Sequence, residues 1–153
     1  MPDSDQRARS VDMKLAVVKD VVQGKRVVVV DDSIIRGTTS RRRVMALREA
    51  GAKEIHLRIS CPPTINPCFF GIDFATKDQL VAALHSHDEV CAFTGADSLG
   101  YLSIEGLLTP FSNASNYCTA CFSGNYPLDI SRMQGKEAME TSLLLNLDGK
   151  GNH

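Results

Sequence analysis

RVVVVDDSIIRGTTS, residues 26–40, is the stretch whose reading decides the fold. Val27 to Val30 are four consecutive β-branched residues, which favour an extended backbone. Their lack of alternation predicts a strand covered on both faces and placed centrally in a parallel α/β sheet. Asp31 and Asp32 follow at the carboxyl end of that strand, where open α/β sheets bind their ligands. Adjacent carboxylates repel unless they meet a cation or a set of hydroxyls. Residues 33–40 then supply small side chains, Gly37 for an unusual backbone angle, and the hydroxyls of Thr38, Thr39 and Ser40, before helical apolar spacing resumes at Val44 and Leu47. A helix amino terminus with free N–H groups is a ready phosphate site. Acids for sugar hydroxyls or a metal beside a phosphate cradle describe a phosphorylated sugar. The plainer alternative is an acid pair that only ends a strand and threonines that only cap a helix.

The chain has 153 residues, enough for one domain or part of one. Its net charge of −1 gives no reason to expect nucleic acid or a membrane surface as partner. The dense basic run Arg41–Arg43 reads as a solvated first helical turn, or as electrostatic support for an anionic ligand or contact with a neighbouring subunit. No apolar run approaches the roughly 20 residues that span a bilayer, and residues 1–10 are polar, so the expected setting is cytoplasmic.

Residues 1–10 read as a mobile lead-in, and 14–22 as a short extended or mixed segment before a turn at Gly24. A helix over 38–50 ends at Gly51, and 53–60 form a second strand, which together with the first makes a parallel crossover unit. Pro62, Pro63 and Pro67 impose an irregular loop. Residues 76–84 and 88–94 read as short helices, 98–103 as a strand or extended piece, and 104–108 as a helical turn. Met139, Leu143 and Leu147 make one helical stripe, expected to pack on its own subunit or on a partner.

Five cysteines, an odd number, fit a reducing compartment and metal ligation better than a disulfide scaffold. Cys118 and Cys121 form C-x-x-C, and Cys68 lies in the proline-stiffened loop. Three candidate ligands are therefore visible, with zinc, a redox dithiol and unconnected buried thiols all open from spacing alone. Cys61 and Cys91 read as small buried apolar residues. His85, a possible zinc ligand in principle, reads as an exposed helix-end histidine.

The full pattern of residues 26–40 closely resembles the phosphoribosylpyrophosphate-binding motif of phosphoribosyltransferases, and GKRVVVVDDSIIRGTTSRR resembles the amidophosphoribosyltransferase family in particular. Receiver domains also place an acid pair after an early strand, but SCPPTINP after the second strand offers no acceptor aspartate. The resemblance runs nearly continuously from Lys14 to about Pro127 and includes GADSLGYLSIEGL, 95–107. Ahead of it, Pro2, Arg7, Val11, Lys14 and Leu15 fall at family steps, with Ser4 where a glutamine is usual.

The resemblance implies a partial type I phosphoribosyltransferase fold with irregular and helical carboxyl-terminal segments. It divides the chain into a flexible-loop remnant over 1–13, the carboxyl-terminal part of the transferase domain over 14–110, and a cysteine-bearing tail over 111–153. Asp31 and Asp32 would engage ribose hydroxyls and Mg²⁺, while Ser33, Ile34, Ile35, Arg36, Gly37, Thr38 and Thr39 would hold the 5′-phosphate. NPCFFGID and YCTACFSGNYP resemble the family branch that carries a structural [4Fe–4S] cluster, giving Cys68, Cys118 and Cys121 as three of its four ligands. The implied whole enzyme takes glutamine and phosphoribosylpyrophosphate, is a homo-oligomer, and makes 5-phosphoribosylamine in the first committed step of purine synthesis. The chain corresponds to its carboxyl-terminal portion, without the glutaminase domain or the pyrophosphate-binding strand and loop, so the expectation is that alone it transfers nothing. A non-catalytic phosphoribosylpyrophosphate-binding module and a metal-stabilised interaction domain are the alternatives.

Overall fold

The computed structural model describes residues 17–72 and 76–130. The short helix α1 (Lys19–Val22) leads through Gly24 into β1 (Arg26–Asp31), followed by α2 (Thr38–Glu49) and β2 (Glu54–Ile59). After the proline loop come a 3₁₀ turn (Lys77–Gln79), α3 (Val81–Leu84), α4 (His87–Thr94) and β3 (Ser98–Tyr101). The tail adds α5 (Ile104–Leu108), a second 3₁₀ turn (Ala114–Asn116) and α6 (Ala120–Ser123). The strands form one parallel sheet in the order β1-β2-β3, with Asp31 opposite Ile59 and Ile59 opposite Tyr101.

Local signals set the element ends. Gly51 and Gly24 both take positive φ, at 90° and 69°, and the Gly24 N–H donates to the Gly51 carbonyl at 2.7 Å, so the end of α2 and the entry to β1 are tied at one corner. A reciprocal box between Ser86 and Glu89 starts α4, and Gly95 at φ 77° ends it. Those bonds from the Ser86 backbone and hydroxyl hold the Glu89 carboxyl below its ordinary range.

The core is one-sided. Ile55, Leu57 and Ile59 project from β2 into a cluster with Val44 of α2, Val90 of α4, Ile34 and Leu99. The other face of β2 carries Glu54, His56 and Arg58 in a polar ladder: Arg26 Nε donates to Glu54 at 2.6 Å, and the His56 ring bridges Glu54 at 3.1 Å and the Ser98 hydroxyl at 2.8 Å.

This arrangement corrects the expected place of the first strand. Among the described residues β1 lies at the edge of the sheet and β2 at its centre, and Val28 and Val30 are 60% and 72% exposed while Val27 and Val29 pack towards the core. Both crossover helices cover the same face, and the described residues supply no layer for the opposite one. The helix expected over 76–84 is also divided, because Leu80 adopts an extended backbone and is fully buried. Burial of one large side chain there outweighs helical continuity. Residues 1–13 and the stripe at Met139, Leu143 and Leu147 lie outside the described residues.

Candidate functional site

Residues 31–40, with Arg43, line an open cavity of about 500 Å³ at the carboxyl end of β1. The strand delivers Asp31, whose backbone carbonyl accepts from the Ser60 N–H at 2.9 Å and the Ser60 hydroxyl at 3.2 Å. Asp31 is thereby fixed to the end of β2. Its carboxylate pairs with the Arg43 guanidinium of α2 and is largely covered. Asp32 is exposed, and its Oδ1 accepts from the Ser33 N–H at 2.8 Å. The two neighbouring carboxylates therefore sit in unlike environments, one paired and one open.

The turn after them is held from below by apolar groups. Ile34 is 2% exposed and belongs to the core, so its contribution to the cavity is through its main chain. The Ile35 carbonyl accepts from the Val81 N–H at 2.8 Å, which ties the turn to α3. Arg36 pairs with Gln79 on the adjoining 3₁₀ turn. Gly37 then takes φ 75° in the left-handed region and opens α2. A Cβ at Gly37 would stand 3.0 Å from Phe93 Cε1, so both the backbone angle and the packing select glycine.

Gly37 offers α2 no side-chain cap, and the first turn contains no acid. The N–H groups of Thr38, Thr39 and Ser40 are the donors a helix start leaves without intrahelical acceptors, and the helix dipole adds positive potential there. Thr38 and Thr39 expose hydroxyls beside them, while Ser40 is buried. These donors fit a dianionic group, and Asp32 supplies an acceptor for hydroxyls on the same ligand.

Three contributors escaped the sequence reading. Phe93 presses on Gly37 and also takes the Arg41 guanidinium over its ring, 5.2 Å from the centroid. Gln79 and Ser60 hold the turn or its acids. Arg43 was read only as one of the basic run; the structure sets it on Asp31, from the helix face it shares with buried Ser40. The basic run is divided accordingly, since Arg42 is exposed and Arg43 half-buried.

The cysteines form a separate region. The Ile65 and Asn66 N–H groups both donate to the Cys121 carbonyl at 3.0 Å, and the Tyr126 hydroxyl donates to the Pro67 carbonyl at 2.7 Å. Phe69 and Phe70 lie against the Tyr126 ring in tilted contacts, with centroids 5.3 and 6.3 Å away. These contacts bring Cys68, exposed Cys118 and Cys121 into one electrostatic neighbourhood. Burial pushes the Cys121 thiol up, and the charges of Cys68 and Cys118 push it further. Among the described residues no three His, Cys, Asp or Glu side chains are grouped to hold a metal ion. Cys61 and Cys91 pack against the core, and burial pushes Cys61 up to about 11, with Asp32 and Cys121 adding to it. His85 lies at the end of α3, about half exposed and near Glu89.

A parallel sheet in which β1 carries an acid pair into a turn that starts a helix fits the type I phosphoribosyltransferase fold. The comparisons with known proteins narrow the class: the chain is related, in sequence and in fold, to amidophosphoribosyltransferases. It is 49% identical over 139 residues to that of Methanocaldococcus jannaschii, covering 90% of this chain and 29% of the relative. Against the Bacillus subtilis amidophosphoribosyltransferase it is 53% identical over 135 residues, 84% of this chain and 28% of the relative. The solved B. subtilis glutamine phosphoribosylpyrophosphate amidotransferase, complexed with ADP and GMP, superposes with a TM-score of 0.76 at 48% identity, over 91% of this chain and 32% of that one. The chain thus spans under a third of the length of these relatives. No family model matches it. Among the described residues no helix is long and apolar enough to cross a membrane.

Two predictions follow from this geometry. Gly37→Ala should lower unfolding stability by about 1–3 kcal/mol, because it adds a left-handed non-glycine residue and a contact with Phe93; a urea midpoint equal to wild type would contradict the account. Folding raises the Cys61 pKa, so its stabilising contribution is full below the ordinary value of 9.0 and is lost as pH rises through about 11. Wild-type stability should therefore fall between pH 9 and 11 by a component that Cys61→Ala lacks, as thermal melts across that range would show.

Proposed function

We propose that this chain carries the ribose and 5′-phosphate half of the transferase site of an amidophosphoribosyltransferase, the glutamine-dependent glycosyltransferase that opens purine nucleotide synthesis. The observation that carries the reading is the cavity at residues 31–40, in which an open carboxylate faces an uncapped helix start. The 5′-phosphate binds the N–H groups and hydroxyls of Thr38 and Thr39, with main-chain N–H groups from the turn. Asp31 and Asp32 accept from the ribose hydroxyls. As ammonia derived from glutamine displaces pyrophosphate from carbon 1, positive charge develops on the ring, and preset carboxylates nearby stabilise it electrostatically. The product of the whole enzyme is 5-phosphoribosylamine.

The donor set fits Mg²⁺. Asp32 presents a hard, exposed carboxylate with one oxygen outside its local hydrogen bond, and Mg²⁺ is commonly held by one or two carboxylates together with substrate phosphates. When bound, the ion would neutralise the departing pyrophosphate. The thiols suit iron and sulfide in chemistry. A four-iron cluster also holds its thiolates further apart than a single ion does, in keeping with three neighbouring thiols that do not converge on one ion. Cys68, Cys118 and Cys121 would hold it, with a fourth ligand from outside this set, and it would tie the proline loop to the tail without taking part in the transfer. As in the family, the assembled enzyme would be a cytoplasmic homo-oligomer.

Calorimetric titration of phosphoribosylpyrophosphate in the presence of Mg²⁺ tests the reading. Binding is expected for the wild-type chain, with loss of at least about tenfold in affinity when Asp31→Asn and Asp32→Asn are combined, since hydrogen bonds to charged groups are worth about 1.5–3 kcal/mol. The chain alone is expected to release no pyrophosphate from phosphoribosylpyrophosphate and ammonia. Binding that survives the double substitution would sink the assignment of these acids.

A further inference from the structure

The two acids of the cavity are not equivalent. Asp31 is pinned through its backbone by Ser60 and through its carboxylate by Arg43, whereas Asp32 faces solvent with only its own turn as partner. Arg43 reaches Asp31 from α2, across the turn, and itself lines the cavity. Its Nε is buried and has no hydrogen-bond partner among the described residues. A buried guanidinium donor without an acceptor is costly to maintain, and it sits on a residue bordering the place where the ligand is proposed to bind.

We infer that Arg43 is a positioning residue for ligand binding: it neutralises and orients Asp31, so that the acid pair can accept sugar hydroxyls without repelling the phosphate a few ångströms away. This role rests on the phosphoribosyl reading given above. Two unpaired carboxylates next to a phosphate cradle oppose an anionic ligand unless a cation intervenes. With Arg43 in place, one charge is already cancelled and the Nη1 to Oδ2 contact holds the carboxylate in a fixed direction. Arg41 and Arg36 do not substitute for it, because one lies over the Phe93 ring and the other is engaged with Gln79.

The test is calorimetric titration of ribose 5-phosphate into the full chain, once with EDTA and once with saturating Mg²⁺, for wild type, Arg43→Gln, Asp31→Asn and the double variant. In EDTA, Arg43→Gln is expected to bind about tenfold more weakly than wild type, the scale of one charge-assisted pair. In Mg²⁺ the gap narrows to about threefold or less, because a divalent cation can take over the neutralisation of Asp31. The double variant is expected to bind no more weakly than Asp31→Asn alone, since Arg43 acts through Asp31. A merely structural Arg43 would lower affinity equally with and without Mg²⁺, and that result overturns the proposal. Wild-type binding with Arg43→Gln unchanged in EDTA overturns it too, while leaving the phosphoribosyl reading intact. A wild-type chain that binds ribose 5-phosphate in neither condition overturns both. Should Arg43→Gln melt before titration, Arg43→Lys decides: retention of most of the EDTA affinity supports the charge role, and affinity as low as that of Asp31→Asn contradicts it.

Discussion

The left-handed turn at Gly37, closed against Phe93, is the constraint on which the site depends. It converts the end of β1 into the start of α2 within a few residues, and a Cβ at Gly37 would stand 3.0 Å from the Phe93 ring, tighter than side chains normally pack. Because the helix begins there and not later, its free N–H groups lie beside Asp31 and Asp32. Phe93 belongs to α4, so the shape of the cradle is set by packing between the two crossover helices. The same contact places Arg41 over the Phe93 ring and leaves Arg43 directed at the acid pair. Local strand, turn and helix chemistry thus become a binding geometry through one tertiary contact.

The sheet is built to one-sided standards over the described residues. β2 alternates cleanly, with Ile55, Leu57 and Ile59 inside and Glu54, His56 and Arg58 outside, where His56 pairs with Glu54 and Arg58 donates to the Ser98 hydroxyl and the Leu57 carbonyl. β1 does not follow this logic, because Val28 and Val30 are apolar and exposed at the sheet edge. Among the described residues this leaves an apolar strip beside the outer edge of the sheet. The cysteine region is more self-contained: the loop at 65–70 and the tail at 121–126 are joined by main-chain, phenol and ring contacts before any metal is considered.

The parts legible in the sequence were those specified by neighbours along the chain. The β-branched run, the acid pair, the glycine, the hydroxyls and the stop at Gly51 are local signals, and the structure places β1, the turn and α2 where those signals fall. Four consecutive valines, however, read alike whether one face is covered or two, so the edge position of β1 was hidden. Leu80 broke a helix because its side chain is drawn into the core, a tertiary effect with no periodic signature. Phe93, Gln79 and Ser60 reach the site from other elements, and single-sequence spacing does not encode such distant contacts. Arg43 was visible only as one of three arginines, and the helix face it shares with Ser40 distinguishes it.

The most direct test of the central claim is an amide ¹H–¹⁵N NMR titration of the chain with ribose 5-phosphate. The account predicts the largest shifts at the N–H groups of Thr38, Thr39 and Ser40, with further shifts at Asp32 and Ser33, and little change around Cys118 and Cys121. Binding that leaves the start of α2 unmoved while shifting another region would contradict it.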